Sequence, residues 1–145
     1  MYNKQIPSNK LFCLMSCTPS DQDWSSYGKD LTNQRFATIE QINDKNVGNL
    51  KLAWQYQTGI KATFQSTPIV HQGVMYVSLP FNHVIAMNAK TGKVLWRYEH
   101  KRNRDWKICC GPSNRVLAIH NGQLFMGTVD ARLISLDSKT GEKLW

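Results

Sequence analysis

Cys109 and Cys110 are adjacent, and Asn114-Arg115 follow four residues on. Neighbouring cysteines cannot brace a fold in the ordinary way. A trans peptide holds their Cα atoms about 3.8 Å apart, whereas disulfides usually span roughly 4.4–6.8 Å. A bridge between them would close a tight ring with almost no loop-closure stabilisation. Such a ring suits a site better than a staple, because it offers a hard, flat, redox-capable surface to a planar ligand. The alternative is two unbridged thiols packed as small hydrophobes, and adjacency alone does not choose between the two.

The elements that must position this stretch are repeats. Ala86-Met87-Asn88-Ala89-Lys90-Thr91-Gly92-Lys93-Val94-Leu95-Trp96 recurs 49 residues later as Ser135-Leu136-Asp137-Ser138-Lys139-Thr140-Gly141-Glu142-Lys143-Leu144-Trp145. Ahead of these, Gly73-Val74-Met75-Tyr76-Val77 matches Gly122-Gln123-Leu124-Phe125-Met126 at the same spacing. A unit of about 40–50 residues holding several short strands is the pattern of a propeller blade.

Strands are expected over 69–70 and 74–78, and in the second copy over 117–119, which turns at Asn121-Gly122. That dipeptide favours a hairpin because both positions accept positive φ. A third strand is expected over 83–87 and 132–136, then an Asx-x-Lys-Thr-Gly turn in which glycine takes the left-handed conformation. A fourth strand carries Val94, Trp96 and Tyr98. Trp96 and Trp145 are expected to pack between blades with the indole N–H on a carbonyl, a structural role. The chain therefore reads as all-β, about two and a half blades of a propeller. Repeat units cannot bury their faces alone, so the chain is expected to be a truncated piece of a ring.

Before the repeats, residues 23–36 read as loop, 39–50 as a short helix and turn, and 52–56 as an outer strand of an earlier or closing blade. Together these segments closely resemble the opening of the quinoprotein alcohol dehydrogenases, the methanol and ethanol dehydrogenases that use pyrroloquinoline quinone (PQQ). The resemblance is carried by Trp24, Tyr27-Gly28-x-Asp30, Asn33-x-Arg35-Phe36, Gln41-Ile42-Asn43, Asn46-Val47, Leu50, Trp54, Thr58-Gly59, Thr67-Pro68, Cys109-Cys110, Asn114-Arg115 and Gly127-Thr128-x-Asp130-Ala131. It covers about residues 23–145. The Lys-Thr-Gly…Trp repeat is shared with many propellers; the Cys-Cys plus Asn-Arg pair is far more specific.

The resemblance implies an eight-bladed propeller of four-stranded antiparallel blades with PQQ near the axis, of which 23–145 is the N-terminal part. It implies that Cys109 and Cys110 form a disulfide covering one face of the quinone, and that Arg115 contacts a polar edge of it. A fixed, always-charged guanidinium suits carboxylates and a carbonyl that gains negative charge on reduction; the competing reading of Arg115 is a surface salt bridge. Gln65 stands where the family usually has a cofactor-contacting glutamate, keeping the length and one acceptor without the charge. Val116 stands where the family commonly has glycine, which puts the backbone's approach to the cofactor in question.

The implied activity is oxidation of primary alcohols to aldehydes, with electrons passed to cytochrome c or a membrane quinone. The family's calcium (or other metal) ligands and catalytic base lie further along than Trp145, so no catalytic or metal residue is assigned here. Residues 1–145 alone are expected to lack dehydrogenase activity. Asp130 and Asp137 are read as structural, in strand and turn positions of the repeat.

The balance of 18 basic against 10 acidic residues gives +8, densest over 100–107, yet no nucleic-acid-binding motif accompanies it. A solvated inter-blade loop is the expected reading, with no nucleic-acid partner. No apolar run is long enough to span a membrane. Residues 1–22 read as a degenerate leader or lipoprotein-like signal, expected to be disordered. Leu14-Met15-Ser16-Cys17 resembles a lipoprotein box, which leaves membrane association open, but the apolar run before it is shorter than the roughly 7–15 residues a secretory core needs. Kinship, and a disulfide's need for an oxidising compartment, imply the periplasm. Two other readings are a non-enzymatic propeller lipoprotein that scaffolds outer-membrane assembly and a decayed gene fragment.

Overall fold

Short, largely apolar runs bounded by turn residues generate the strands. The computed structural model describes residues 23–101 and 111–145. The leader and the Cys109-Cys110 pair lie outside the described residues. Strands β1 (Ile69–His71), β2 (Val74–Leu79), β3 (His83–Asn88) and β4 (Val94–Tyr98) form one antiparallel sheet in that order. Strands β5 (Ala118–His120), β6 (Gln123–Gly127) and β7 (Leu133–Asp137) form a second. A bridge between Leu136 and Lys143 begins a fourth position there, continued by the Leu144 amide on the Ser135 carbonyl at 2.9 Å. Both sheets are up-and-down meanders, so each is a blade.

The hairpin turns are those the dipeptides dictate. Asn121 and Gly122 both take positive φ, 46° and 73°, and Gln72 and Gly73 do the same at 50° and 76°. In the first blade Val74, Tyr76, Val84 and Ala86 face Leu117, Leu124, Met126, Ile134 and Leu136 of the second. The alternate residues Val77, Leu79, Ile85 and Met87 face Trp54, Tyr56 and Ile60. The first blade is therefore buried on both sides. Burying a side chain such as Ile85 or Leu136 contributes roughly 1.5–3 kcal/mol, more than a single surface contact does.

Two local expectations are corrected. Residues 52–56 form no ladder among the described residues; Trp54 and Tyr56 hold them to the first blade through side chains. The helix expected over 39–50 shrinks to a single 3-10 turn, Val47–Asn49. Asn43 and Asn46 compete for the backbone: the Asn46 Oδ1 accepts from the Asn43 amide at 2.9 Å, and the Asn43 Oδ1 accepts from the Lys45 amide at 3.0 Å.

Tryptophans lock successive units together. The Trp54 indole donates to the Ala89 carbonyl at 3.2 Å, and Trp96 to the Ser138 carbonyl at 3.0 Å. Each carbonyl belongs to the Asx-x-Lys-Thr-Gly turn of the next unit. Asn88 Oδ1 shapes the first turn by accepting from the Thr91 amide at 2.9 Å; Asp137 shapes the second, accepting from the Thr140 amide at 2.8 Å. The amides of Thr140 and then Lys139 hold the Asp137 carboxyl below its ordinary range. The turn glycines do more than adopt positive φ. A Cβ at Gly92 would lie 2.5 Å from the Trp54 ring, and one at Gly141 2.5 Å from the Trp96 ring.

Gly141→Ala should therefore cost the full-length protein about 2–4 kcal/mol, from left-handed strain plus displacement of Trp96. Gly73→Ala has similar φ but no atom within 4 Å of the new methyl, and should cost only about 1–2 kcal/mol. Denaturant midpoints of the two variants measure the difference; equal losses would mean the tryptophan contact is not what requires glycine.

Candidate cofactor-binding site

Antiparallel pairing sorts the loops to two ends. The Asx-x-Lys-Thr-Gly turns and the Asn121-Gly122 hairpin lie at one end of the sheets. At the other lie the chain entering β1, the β2–β3 turn, the exit of β4, the chain entering β5 and the β6–β7 turn. Gln65 and Arg115 both sit at this second end, and the fold brings them together although 50 residues separate them.

The Arg115 Nε donates to the Gln65 Oε1 at 3.2 Å, and the Arg115 carbonyl accepts from the Thr67 amide at 2.7 Å. Both side chains are exposed. Gln65 orients the guanidinium without neutralising it, since an amide oxygen carries no formal charge. No carboxylate of the described residues is ion-paired with Arg115, so the surface salt bridge considered for it is not formed there. With Nε held by Gln65, the terminal amines of the fork have no hydrogen-bond partner among the described residues, and their geometry suits an anionic group.

Behind the pair the two entering segments are laced to the first blade. The Ser113 Oγ donates to the Thr63 carbonyl at 3.0 Å, and the Ser78 Oγ donates to the Asn114 carbonyl at 3.0 Å. The Phe81 amide donates to the Pro112 carbonyl at 2.8 Å. The Asn114 Nδ2 donates to the Asn82 Oδ1 at 3.1 Å and to the Gly127 carbonyl at 2.8 Å. Asn82 escaped the sequence reading. Its one signal is an Asn at a strand junction, where its short polar side chain tolerates positive φ.

Asp130 lies in the β6–β7 turn, where a strand or turn position was expected. It is buried and receives the buried His100 Nε2 at 3.1 Å, with the Arg132 Nε at 3.3 Å from its second oxygen. The His100 amide in turn donates to the His83 Nδ1 at 3.0 Å, so a neutral His83 carries its proton on Nε2. These contacts tie the exit of β4 to the second blade, as the structural reading of Asp130 expected. Among the described residues no three His, Cys, Asp or Glu side chains converge on a possible metal position.

Paired meander blades locked by tryptophan, with polar groups gathered at one end, are the architecture of a β-propeller. Residues 24–144 match the family described as PQQ: Glucose/ethanol/alcohol dehydrogenase, beta-propeller domain, and the chain belongs to that family. It is 42% identical over 125 residues to the dehydrogenase subunit of alcohol dehydrogenase (quinone) from Gluconobacter oxydans, covering 85% of this chain and 16% of that protein. It is similar to the quinohemoprotein alcohol dehydrogenase structure from Comamonas testosteroni, with TM-score 0.80 and 38% identity over 85% of this chain and 19% of that one. A europium-containing methanol dehydrogenase matches with TM-score 0.79 and 37% identity, covering 86% of this chain and 23% of that one. The chain thus spans about a fifth of the length of these relatives.

The Asp130 carboxyl is held below its ordinary range by hydrogen bonding from Thr128, against the opposing effect of burial, with His100 adding to the lowering. A depressed folded-state value means the contribution is present at neutral pH and lost as pH falls below about 4 through the folded value. In the full-length protein, Asp130→Asn should lower the melting temperature at neutral pH and flatten its fall into acid. Parallel melting-temperature profiles for parent and variant from pH 7 to 3 would show that Asp130 does not supply this dependence.

Proposed function

We propose that this chain forms one wall of the quinone site of a PQQ-dependent alcohol dehydrogenase that oxidises primary alcohols to aldehydes. The observation that carries this reading is the Arg115–Gln65 pair, an oriented guanidinium with no described anionic partner at the site end of the blades. PQQ carries three carboxylates and a carbonyl pair, and a guanidinium fork beside an amide matches that donor requirement. When bound, the quinone supplies the two-electron acceptor that an alcohol's conversion to an aldehyde requires.

Arg115 holds a polar edge of the cofactor and favours negative charge developing there; Gln65 fixes the angle of the guanidinium. Cys109 and Cys110, as a disulfide, would cover one face and exclude water from it. A metal ion, calcium or another, and a base near the alcohol hydroxyl complete the chemistry in the full-length enzyme. Electrons then pass to cytochrome c or a membrane quinone, in the periplasm. The name of the Gluconobacter oxydans relative, which includes a quinone, supports an acceptor of that kind.

Two experiments on the full-length protein test this reading. Arg115→Lys keeps the charge but loses the planar fork, so quinone affinity measured by titration of apo-protein should fall about tenfold or more. The apo melting temperature should barely move, because the side chain is exposed; equal affinity in variant and parent would remove Arg115 from the site. Thiol-specific mass labelling of the non-reduced protein should leave Cys109 and Cys110 unmodified, and quantitative labelling of both would exclude the disulfide.

A further inference from the structure

Asn82 is completely buried where three segments meet, and its single oxygen serves two of them. Its Oδ1 accepts from the Asn114 Nδ2 at 3.1 Å and from the Val129 amide at 3.1 Å. Asn114 immediately precedes Arg115, and Val129 belongs to the β6–β7 turn of the second blade. The arrangement has costs. Phe81 and Asn82 are consecutive left-handed residues at φ 65° and 62°, and the Asn82 Nδ2 is buried without a hydrogen-bond partner among the described residues. Strain and an unpaired buried donor persist only where the surroundings over-determine them, and they cluster at functional sites.

The same corner grips the segment leading to Arg115 from several sides. The Phe81 amide holds the Pro112 carbonyl, the Ser78 hydroxyl holds the Asn114 carbonyl, and the Asn114 Nδ2 reaches across to the Gly127 carbonyl. The backbone of Arg115 is thereby committed to the Thr67 amide at 2.7 Å, and its side chain to Gln65 at 3.2 Å. Arg115 itself is exposed, so its side chain is aimed by the Gln65 bond and by the backbone that carries it, and that backbone is clamped one residue earlier.

From this geometry we infer that Asn82 is a positioning residue for the cofactor wall: it clamps Asn114 and so orients the Arg115 guanidinium toward the quinone. The inference rests on the function proposed above, and it assigns Asn82 no contact with the cofactor. Asn82 acts through Arg115, which separates this role from a purely structural junction between blades. A structural junction would lower stability without a specific coupling to Arg115.

The test uses the full-length protein with three variants: Asn82→Gly, which keeps the left-handed backbone and deletes the acceptor, Asn82→Asp, which restores an acceptor of the same shape, and Arg115→Ala. In apo-protein, hydrogen exchange at the Thr67 amide should rise about tenfold or more in Asn82→Gly and return towards the parent in Asn82→Asp. Quinone titration should show weaker binding in Asn82→Gly. The double variant with Arg115→Ala should bind no more weakly than Arg115→Ala alone, since residues acting through one another are non-additive. Unchanged exchange at Thr67, or fully additive losses in the double variant, would overturn the inference. Raised exchange in a protein whose parent takes up no quinone would overturn the proposed function while supporting the clamp.

Discussion

The seating of a tryptophan on the glycine of the next unit's turn is the constraint on which the rest of this structure depends. Trp54 sits over Gly92 and bonds the Ala89 carbonyl; Trp96 sits over Gly141 and bonds the Ser138 carbonyl. The indole combines a large apolar face with one directional donor, so it fixes both the separation and the angle of neighbouring blades. The Ser138 carbonyl also accepts from the Tyr76 hydroxyl at 3.2 Å, and burial raises the Tyr76 phenol above its ordinary range. Two aromatic donors from the first blade thus converge on one oxygen of the second.

Locking the blades at the turn end leaves the opposite end free to specialise. There the contacts are polar and pass between loops: His100 to Asp130, Asn82 to Val129, Asn114 to Gly127. Hydrogen bonds are directional where apolar contacts are not, so this end holds groups at defined angles while the Leu124, Met126 and Leu136 core beneath supplies adhesion. Stability and positioning are carried by different chemistry at different ends of the same strands.

The replacement of a family glutamate by Gln65 has a physical reading in this setting. A carboxylate beside Arg115 would hold the guanidinium more strongly and compete with an anionic ligand for its charge. The amide of Gln65 still receives the Arg115 Nε but brings no charge of its own to neutralise it. Val116, where glycine is common in the family, does not prevent the Arg115 carbonyl from meeting the Thr67 amide.

The sequence by itself determined the blades. The 49-residue spacing, the short apolar runs, the Asn121-Gly122 hairpin and the left-handed Gly92 and Gly141 are encoded by residues close to one another, so local sterics and burial suffice to read them. The docking of Trp96 on a carbonyl was legible for the same reason: a repeated amphipathic ring implies a repeated buried partner. It did not reveal that residues 52–56 form no ladder with the other described residues, because a strand exists only through its neighbour. The Asn43 and Asn46 bonds that shorten the helix were also hidden. Only the tertiary structure decided that Gln65 meets Arg115 across 50 residues, and that the buried Asn82 oxygen gathers donors from two other segments. Contacts between distant residues follow from the register of the sheets and the seating of one blade on the next, and no short window of sequence contains either.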